Sequence, residues 1–185
     1  MEDIFKDIRT ELKKFENERE KVISVSREVI KLSKLIIYSI HRNDIKEAES
    51  LIKEIKSTIK KLDNKHYDTK IDCVAFQEYV EALCYYEFVK NGKILGYKEL
   101  GVDVDHYLLG LCDLTGELGR KAVNDIINKN YKNVLKIKEA VSNIYFGFLS
   151  LDLRNNELRV KADSIKYNLK KIEDLTLELK LKGMI

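Results

Sequence analysis

The sequence lacks proline and tryptophan altogether and carries its first glycine at Gly92. Proline interrupts helix interiors and glycine favours turns, so their absence from the first 91 residues excludes a turn-rich sheet protein there. This stretch is instead rich in Lys, Glu, Leu and Ile, and most of these are good helix formers. We therefore predict an all-α protein, and 185 residues suit one helical domain over 1–185.

Long apolar runs are also missing. The most apolar N-terminal stretch, 29–40, contains Lys31 and Lys34, whereas a membrane span needs roughly 20 uninterrupted apolar residues. The first nine residues alternate charged and apolar side chains and lack the apolar centre of a signal peptide. We therefore expect a cytoplasmic protein with no membrane partner.

Neither a strong charge excess nor a cysteine framework is present. The 34 basic and 31 acidic residues give a net charge of +3, which does not indicate nucleic-acid binding and leaves only a local basic surface as a candidate. Cys73, Cys84 and Cys112 have no metal-ligand spacing and lie in apolar helical stretches, which is typical of reduced, buried thiols.

Apolar residues at helical spacing divide the chain into six or seven helices. Asp44 is suited to cap the second helix, and Asp103 or Asp105 the fourth. Three glycines between 92 and 101 mark a long loop with room for one short helical turn, and Asn155 and Asn156 predict a turn and cap before the last helix. The predicted helices cover about 4–40, 44–62, 70–90, 103–129, 133–152 and 157–182.

The last helix carries a heptad pattern with Leu158, Ile165, Ile172 and Leu179 spaced seven residues apart. Such a seam fits either a zipper between subunits or a bundle helix that faces its own core. Because the pattern lasts only about three to four heptads, we favour the second interpretation.

The third predicted helix carries apolar side chains nearly all round, and two acids lie among them. Glu78 and Glu81 are three residues apart and are neighbours on one helix face that is otherwise apolar. Burying two unpaired like charges is costly, so a partner is predicted. A lysine or arginine would make an internal ion pair, a divalent cation would make a metal site, and shared protons would make a perturbed pair.

The fourth helix offers a matching pair of acids. Asp113 and Glu117 are four residues apart and share a face with Arg120 and Asn124. Two adjacent helices could thus present four carboxylates to one point, and oxygen-only ligands favour Mg²⁺, Mn²⁺ or Ca²⁺. The alternative for this second pair is a solvated helix face, and spacing alone favours that alternative. His106 projects onto the same stripe but lies two turns away from Asp113.

The remaining candidate ligands, loops and nucleophiles have weaker sequence support. His41 and His66 lie in polar stretches, so we expect both to be surface residues. The three loop glycines lack the spacing and the preceding strand of a phosphate-binding loop. No serine or cysteine has the supporting histidine pattern of a nucleophile.

Three segments carry a family resemblance: QEYVEA at 77–82, DHYLLGLCDLTGEL at 105–118, and the stretch from GFLSLDLR to LKLKG at 147–183. They resemble the translin superfamily, and within it most closely the branch of translin-associated factor X. Together the segments cover most of the chain from about residue 70 onward. The resemblance implies an all-α subunit of seven helices that assembles into hollow octamers or hexamers and binds single-stranded nucleic acid or short RNA inside the shell.

The resemblance also implies a catalytic site. The catalytic family members use acids to bind Mg²⁺ and cut RNA, and that pattern falls on Glu78, Glu81 and Asp113, with Glu117 as a fourth member. Translin itself lacks the first two glutamates, whereas this sequence retains all four acids, so it resembles the nuclease-competent branch. Arg120 lies one turn beyond Glu117 and is expected from its spacing to neutralise phosphate.

The family's basic contacts include residues just before the third helix, where this chain has Lys65, His66 and Lys70. Of these, Lys70 is our candidate for nucleic-acid binding, together with Arg120. We therefore predict a Mg²⁺- or Mn²⁺-dependent endoribonuclease that cuts single-stranded RNA, with single-stranded DNA as a further substrate, and works as a homo-oligomer. The alternatives are a non-catalytic shell that binds single-stranded nucleic acid and a plain helical scaffold.

Overall fold

A computed structural model describes residues 2–62, 68–153 and 157–185 of the chain. Over these ranges the chain forms seven α-helices and no strand, so the predicted all-α fold is confirmed. A short 3₁₀ turn, Ile59–Lys61, follows the second helix. The helices are α1 Glu2–His41, α2 Ile45–Thr58, α3 Ile71–Asn91, α4 Tyr97–Leu100, α5 Val104–Ile127, α6 Tyr131–Leu149 and α7 Glu157–Leu181.

The helix ends follow local capping chemistry. The side chain of Asp44 accepts a hydrogen bond from the Glu47 amide at 3.0 Å and so caps α2 as predicted. Asp103, rather than Asp105, caps α5 by accepting from the His106 amide at 2.9 Å. The single turn of α4 occupies the predicted glycine loop. The turn predicted at Asn155 and Asn156 lies outside the described residues.

The core is one continuous cluster of buried side chains from all the long helices. Helix α1 packs against α2 and α3, α3 packs against α5, and α5 packs against α6 and α7. The four heptad residues of α7, Leu158, Ile165, Ile172 and Leu179, are all buried in this core. The interpretation of α7 as a bundle helix that faces its own core is therefore confirmed, and its heptad seam is not left free for a zipper.

The three cysteines are free thiols, as expected. Cys84 and Cys112 are buried free thiols, and Cys73 is a partly buried free thiol. Burial raises the pKa of both Cys84 and Cys112 to about 12, so both stay protonated. Among the helices described, none is both long and apolar enough to cross a membrane.

Candidate functional site

A close contact between α3 and α5 sets the geometry of the site. A Cβ atom on Gly110 of α5 would lie 2.7 Å from the Cβ of Val80 and 2.8 Å from the carbonyl oxygen of Gln77, both on α3. Any larger residue would push the two helices apart, because packed interiors have no room for such overlap. The glycine therefore lets the Glu78–Glu81 pair of α3 lie close to the Asp113–Glu117 pair of α5.

Three of the acids line a cleft of about 340 Å³ between α1, α3 and α5, and the fourth, Asp113, is close enough to raise the pKa of Glu81. The side chains of Glu78 and Glu117 are 21% and 23% exposed, and that of Asp113 is 31% exposed. Glu81 is the most buried, at 9%. Asp113 and Glu117 thus do not lie on a fully solvated face, which was the alternative for this pair. The cleft is lined by Lys34, Ile37, Tyr38, Glu78, Glu81, Glu117 and Arg120.

Two lysines from distant parts of the chain pair with two of the acids. Lys34 of α1 places its Nζ 3.8 Å from Oε1 of Glu78. Lys161 of α7 donates to Oδ2 of Asp113 at 2.6 Å and to Oε1 of Gln77 at 3.2 Å. Burial nevertheless raises the pKa of both acids, and the lysines oppose this shift. The first of the three predicted partners, a basic side chain, is therefore present at Glu78 and Asp113.

Glu81 has no such partner. No described residue donates a hydrogen bond to its carboxyl group or forms an ion pair with it within 4.0 Å. Burial, and then the negative charges of Asp113, Glu78 and Glu117, raise the pKa of Glu81 to about 9. Glu81 is therefore protonated at neutral pH, mainly because it is buried.

The expectation that His41 is a surface residue was wrong. Its side chain is only 5% exposed, and its Nε2 lies 2.6 Å from Oε2 of Glu117. Helix α1 continues through residue 41 and places His41 on the side of the buried Ile37, four residues earlier. That spacing was a signal in the sequence that would have placed His41 inside.

Two further side chains hold the imidazole ring of His41. The hydroxyl group of Tyr85 and the amide nitrogen of Asn124 each lie 3.3 Å from Nδ1. An amide nitrogen can only donate, so Nδ1 accepts and carries no hydrogen, and Nε2–H donates to the carboxylate of Glu117. This hydrogen bond is the main reason that the pKa of Glu117 is lowered. Glu117 is thus ionised beside a protonated Glu81.

The donor chemistry of the cluster suits a hard cation, but the side chains do not enclose one. In 2–62, 68–153 and 157–185, no three His, Cys, Asp or Glu side chains are grouped so that they could hold a metal ion. Glu78, Asp113 and Glu117 each contact a basic or histidine side chain instead. Carboxylate oxygens remain the preferred ligands of Mg²⁺, and Glu81 is the acid left without a partner.

The other predicted residues lie at the rim or away from the cleft. Arg120 is exposed at the rim, 3.7 Å from Glu117. Lys70 is exposed just before α3 and is not part of the cleft. His106 pairs with Asp103 at 2.6 Å and stacks on Phe76, so it does not join the acids. Lys65 and His66 lie outside the described residues.

These features define an all-α bundle protein with a half-buried carboxylate cleft between its central helices. The sequence matches the translin family over residues 17–183. The chain belongs to the translin family.

Three relatives show how far the similarity extends. Translin of Gallus gallus is 36% identical over 83 residues, which are 45% of this chain and 36% of that protein. The chain thus matches only about a third of the length of translin. An uncharacterised protein of Methanocaldococcus jannaschii is 32% identical over 154 residues, which are 78% of this chain and 68% of that protein. Translin-associated protein X of Mus musculus is 23% identical over 226 residues, and the match covers 97% of this chain and 78% of that protein.

Two solved structures share the fold. Apo-NeC3PO is 30% identical, has a TM-score of 0.87, and is matched over 94% of this chain and 95% of its own. The AfC3PO–duplex RNA complex is 24% identical and has a TM-score of 0.85. The match covers 96% of this chain and 97% of that chain. The helical architecture described above is therefore that of these proteins.

Proposed function

We propose that this chain is a metal-dependent endoribonuclease that cuts single-stranded RNA, with single-stranded DNA as a further substrate and Mg²⁺ or Mn²⁺ as the cofactor. The observation that carries the proposal is the group of four acids formed by Glu81 with Glu78, Asp113 and Glu117, at a cleft that is open to solvent. Glu81 is only 9% exposed and forms no ion pair with a described residue, and such an environment for a carboxyl group costs stability. Perturbed acids in a cleft are typical of functional sites.

A metal would have to be held by oxygen atoms of Glu78, Glu81, Asp113 and Glu117. Because the described side chains do not enclose a cation, these acids would first have to move closer together. When bound, Mg²⁺ supplies charge stabilisation at a phosphoryl oxygen and acidifies water. Lys34 and Lys161 pair with Glu78 and Asp113 and offset their negative charges, and both lysines have long, flexible side chains that can release these acids to a cation. Glu81 must lose its proton to become a ligand, so cation uptake and proton release are coupled.

Other residues of the chain would bind the substrate or orient the acids. Arg120 is exposed at the rim and presents its guanidinium group, which suits a phosphate of the substrate. Lys70 offers a second cation near the start of α3. His41 is a positioning residue, because its Nε2–H holds one carboxylate oxygen of Glu117.

We propose further that the chain works as a homo-oligomer, an octamer or hexamer with a hollow interior. Several large apolar side chains are largely exposed on the outer faces of the last three helices, including Ile127, Phe146, Val160 and Leu181. Exposed apolar surface of this kind is typical of subunit contacts. The shared fold with AfC3PO, which was solved with duplex RNA, supports an assembly that handles RNA.

A second candidate function is a non-catalytic shell that binds single-stranded nucleic acid. The contacts of Glu78, Asp113 and Glu117 with Lys34, Lys161 and His41 favour it, since internal ion pairs alone also explain buried acids.

Cleavage of end-labelled single-stranded RNA, with Mg²⁺ and with EDTA, distinguishes the two functions. Glu81→Gln keeps the shape and neutrality of the protonated glutamic acid but cannot supply a carboxylate, so it should fold normally and lose Mg²⁺-dependent cutting. Glu173→Gln, at an exposed position of α7, is the matched control. Full activity in Glu81→Gln, or cutting that survives EDTA in the wild type, would contradict the metal-dependent mechanism.

A further inference from the structure

One face of α1 carries a row of basic side chains, and beyond Glu28 the helix contains no acid. Between Val29 and Asn43 the sequence contains no Asp or Glu. Arg27, Lys31, Lys34 and Tyr38 follow one another at intervals of four, three and four residues, so they lie in one row on the helix surface. All four are exposed.

This row borders a groove of about 550 Å³ that also includes Ile30 and Leu35. Lys34 and Tyr38 line both this groove and the carboxylate cleft. The two depressions are therefore adjacent, and the basic row ends beside the acids of the cleft. We call Arg27, Ile30, Lys31, Lys34, Leu35 and Tyr38 the α1 track.

We propose that the α1 track binds single-stranded nucleic acid and guides it into the carboxylate cleft. Neighbouring cations on one helix face are about 6 Å apart, a spacing comparable to that of successive phosphates along an extended strand. Ile30 and Leu35 supply apolar surface between them. Tyr38 supplies an exposed ring on which an unpaired base can stack. A duplex keeps its bases stacked internally, so this last contact selects single strands.

Charge argues against a second copy of the chain as the occupant. A symmetric contact would place the cations of one track against the same cations of its partner, and lysine is depleted from subunit interface cores. A polyanion instead gains from every one of these side chains, because each phosphate contact releases counterions. The Lys34–Glu78 distance of 3.8 Å leaves the lysine at the junction, where it can contact either a phosphate or the acid.

The proposal rests on the nucleic-acid-binding part of the proposed function and not on cleavage. The test is fluorescence anisotropy of a short labelled single-stranded RNA with the full chain in EDTA, so that cutting plays no part. Arg27→Ala/Lys31→Ala should weaken binding roughly 20-fold at about 0.1 M salt and reduce the log–log salt slope by about 1.4. Lys46→Ala/Lys132→Ala removes two exposed lysines of α2 and α6 and should leave both quantities unchanged.

Tyr38 provides an independent readout. Tyr38→Ala should weaken binding roughly 5-fold or more without changing the salt slope, because stacking on an aromatic ring contributes about 1–3 kcal/mol per base. Tyr38→Phe keeps the ring and should bind as the wild type does. Equal losses in Tyr38→Ala and Tyr38→Phe would refute a stacking role.

Light scattering on the same samples separates the alternatives. Weaker binding with unchanged molar mass supports the track, whereas a lower mass in Arg27→Ala/Lys31→Ala would show that this face is a subunit contact and would overturn the proposal. Unchanged affinity and slope would also overturn it, and would leave Mg²⁺-dependent cleavage by the wild type unaffected. Binding along the track without any cleavage would instead reject the nuclease function alone.

Discussion

The protonated state of Glu81 makes a quantitative prediction about stability. Its pKa is about 9 in the folded protein and near 4.5 when it is unfolded. The folded state therefore binds one more proton than the unfolded state throughout the interval between these values. The free energy of unfolding must fall as pH rises through this interval, because folding then has to keep the proton on Glu81.

The size of this change in unfolding free energy follows from the difference between the folded and unfolded pKa of Glu81. Each pKa unit corresponds to 1.36 kcal/mol, so Glu81 costs about 3 kcal/mol of stability at pH 7 and about 6 kcal/mol at pH 9. Glu81→Gln removes the titrating group and leaves a neutral side chain of the same shape. The variant should therefore be as stable as the wild type near pH 4 and increasingly more stable above it.

The assay is urea unfolding at several pH values between about 5 and 9, in EDTA so that no cation occupies the site. Glu173→Gln on the exposed face of α7 controls for loss of a carboxylate elsewhere. If the unfolding free energies of Glu81→Gln and the wild type run parallel across this range, Glu81 is not the group that holds the proton, and the electrostatic account of the cleft is wrong.

Gly110→Ala places a methyl group 2.7 Å from Val80 and should cost about 1–3 kcal/mol in chemical denaturation, whereas Gly119→Ala, with open space around it, should not destabilise. His41→Leu removes the hydrogen bond to Glu117, so a ¹³C NMR titration in EDTA should show the pKa of Glu117 rising to its ordinary range or above, and an unchanged pKa would contradict the pairing. Mg²⁺ binding at pH 7 should release a proton, which calorimetry in buffers of different ionisation enthalpy detects, and Glu81→Gln should abolish that release.

The composition of the chain and the spacing of its apolar residues were enough to predict the helices. The absence of proline, the late first glycine and the apolar periodicity led to helix bounds within a few residues of those observed, and Asp44 caps α2 as expected. These features depend on residues within a turn or two of one another, which is the range over which helix propensity and capping act. The sequence also predicted that Glu78 and Glu81 are neighbours on one face of α3, because they are three residues apart.

The partners of those acids could not be read in this way. Lys34, His41 and Lys161 lie far along the chain from the acids they contact. Which basic group meets which acid depends on how α1 and α7 pack against α3 and α5, and here a single glycine, Gly110, sets how closely α3 and α5 approach. Helix periodicity says which face is buried but not what covers it. Burial and three neighbouring carboxylates raise the pKa of Glu81, whereas the hydrogen bond from His41 lowers the pKa of Glu117. Neither environment follows from a local sequence pattern.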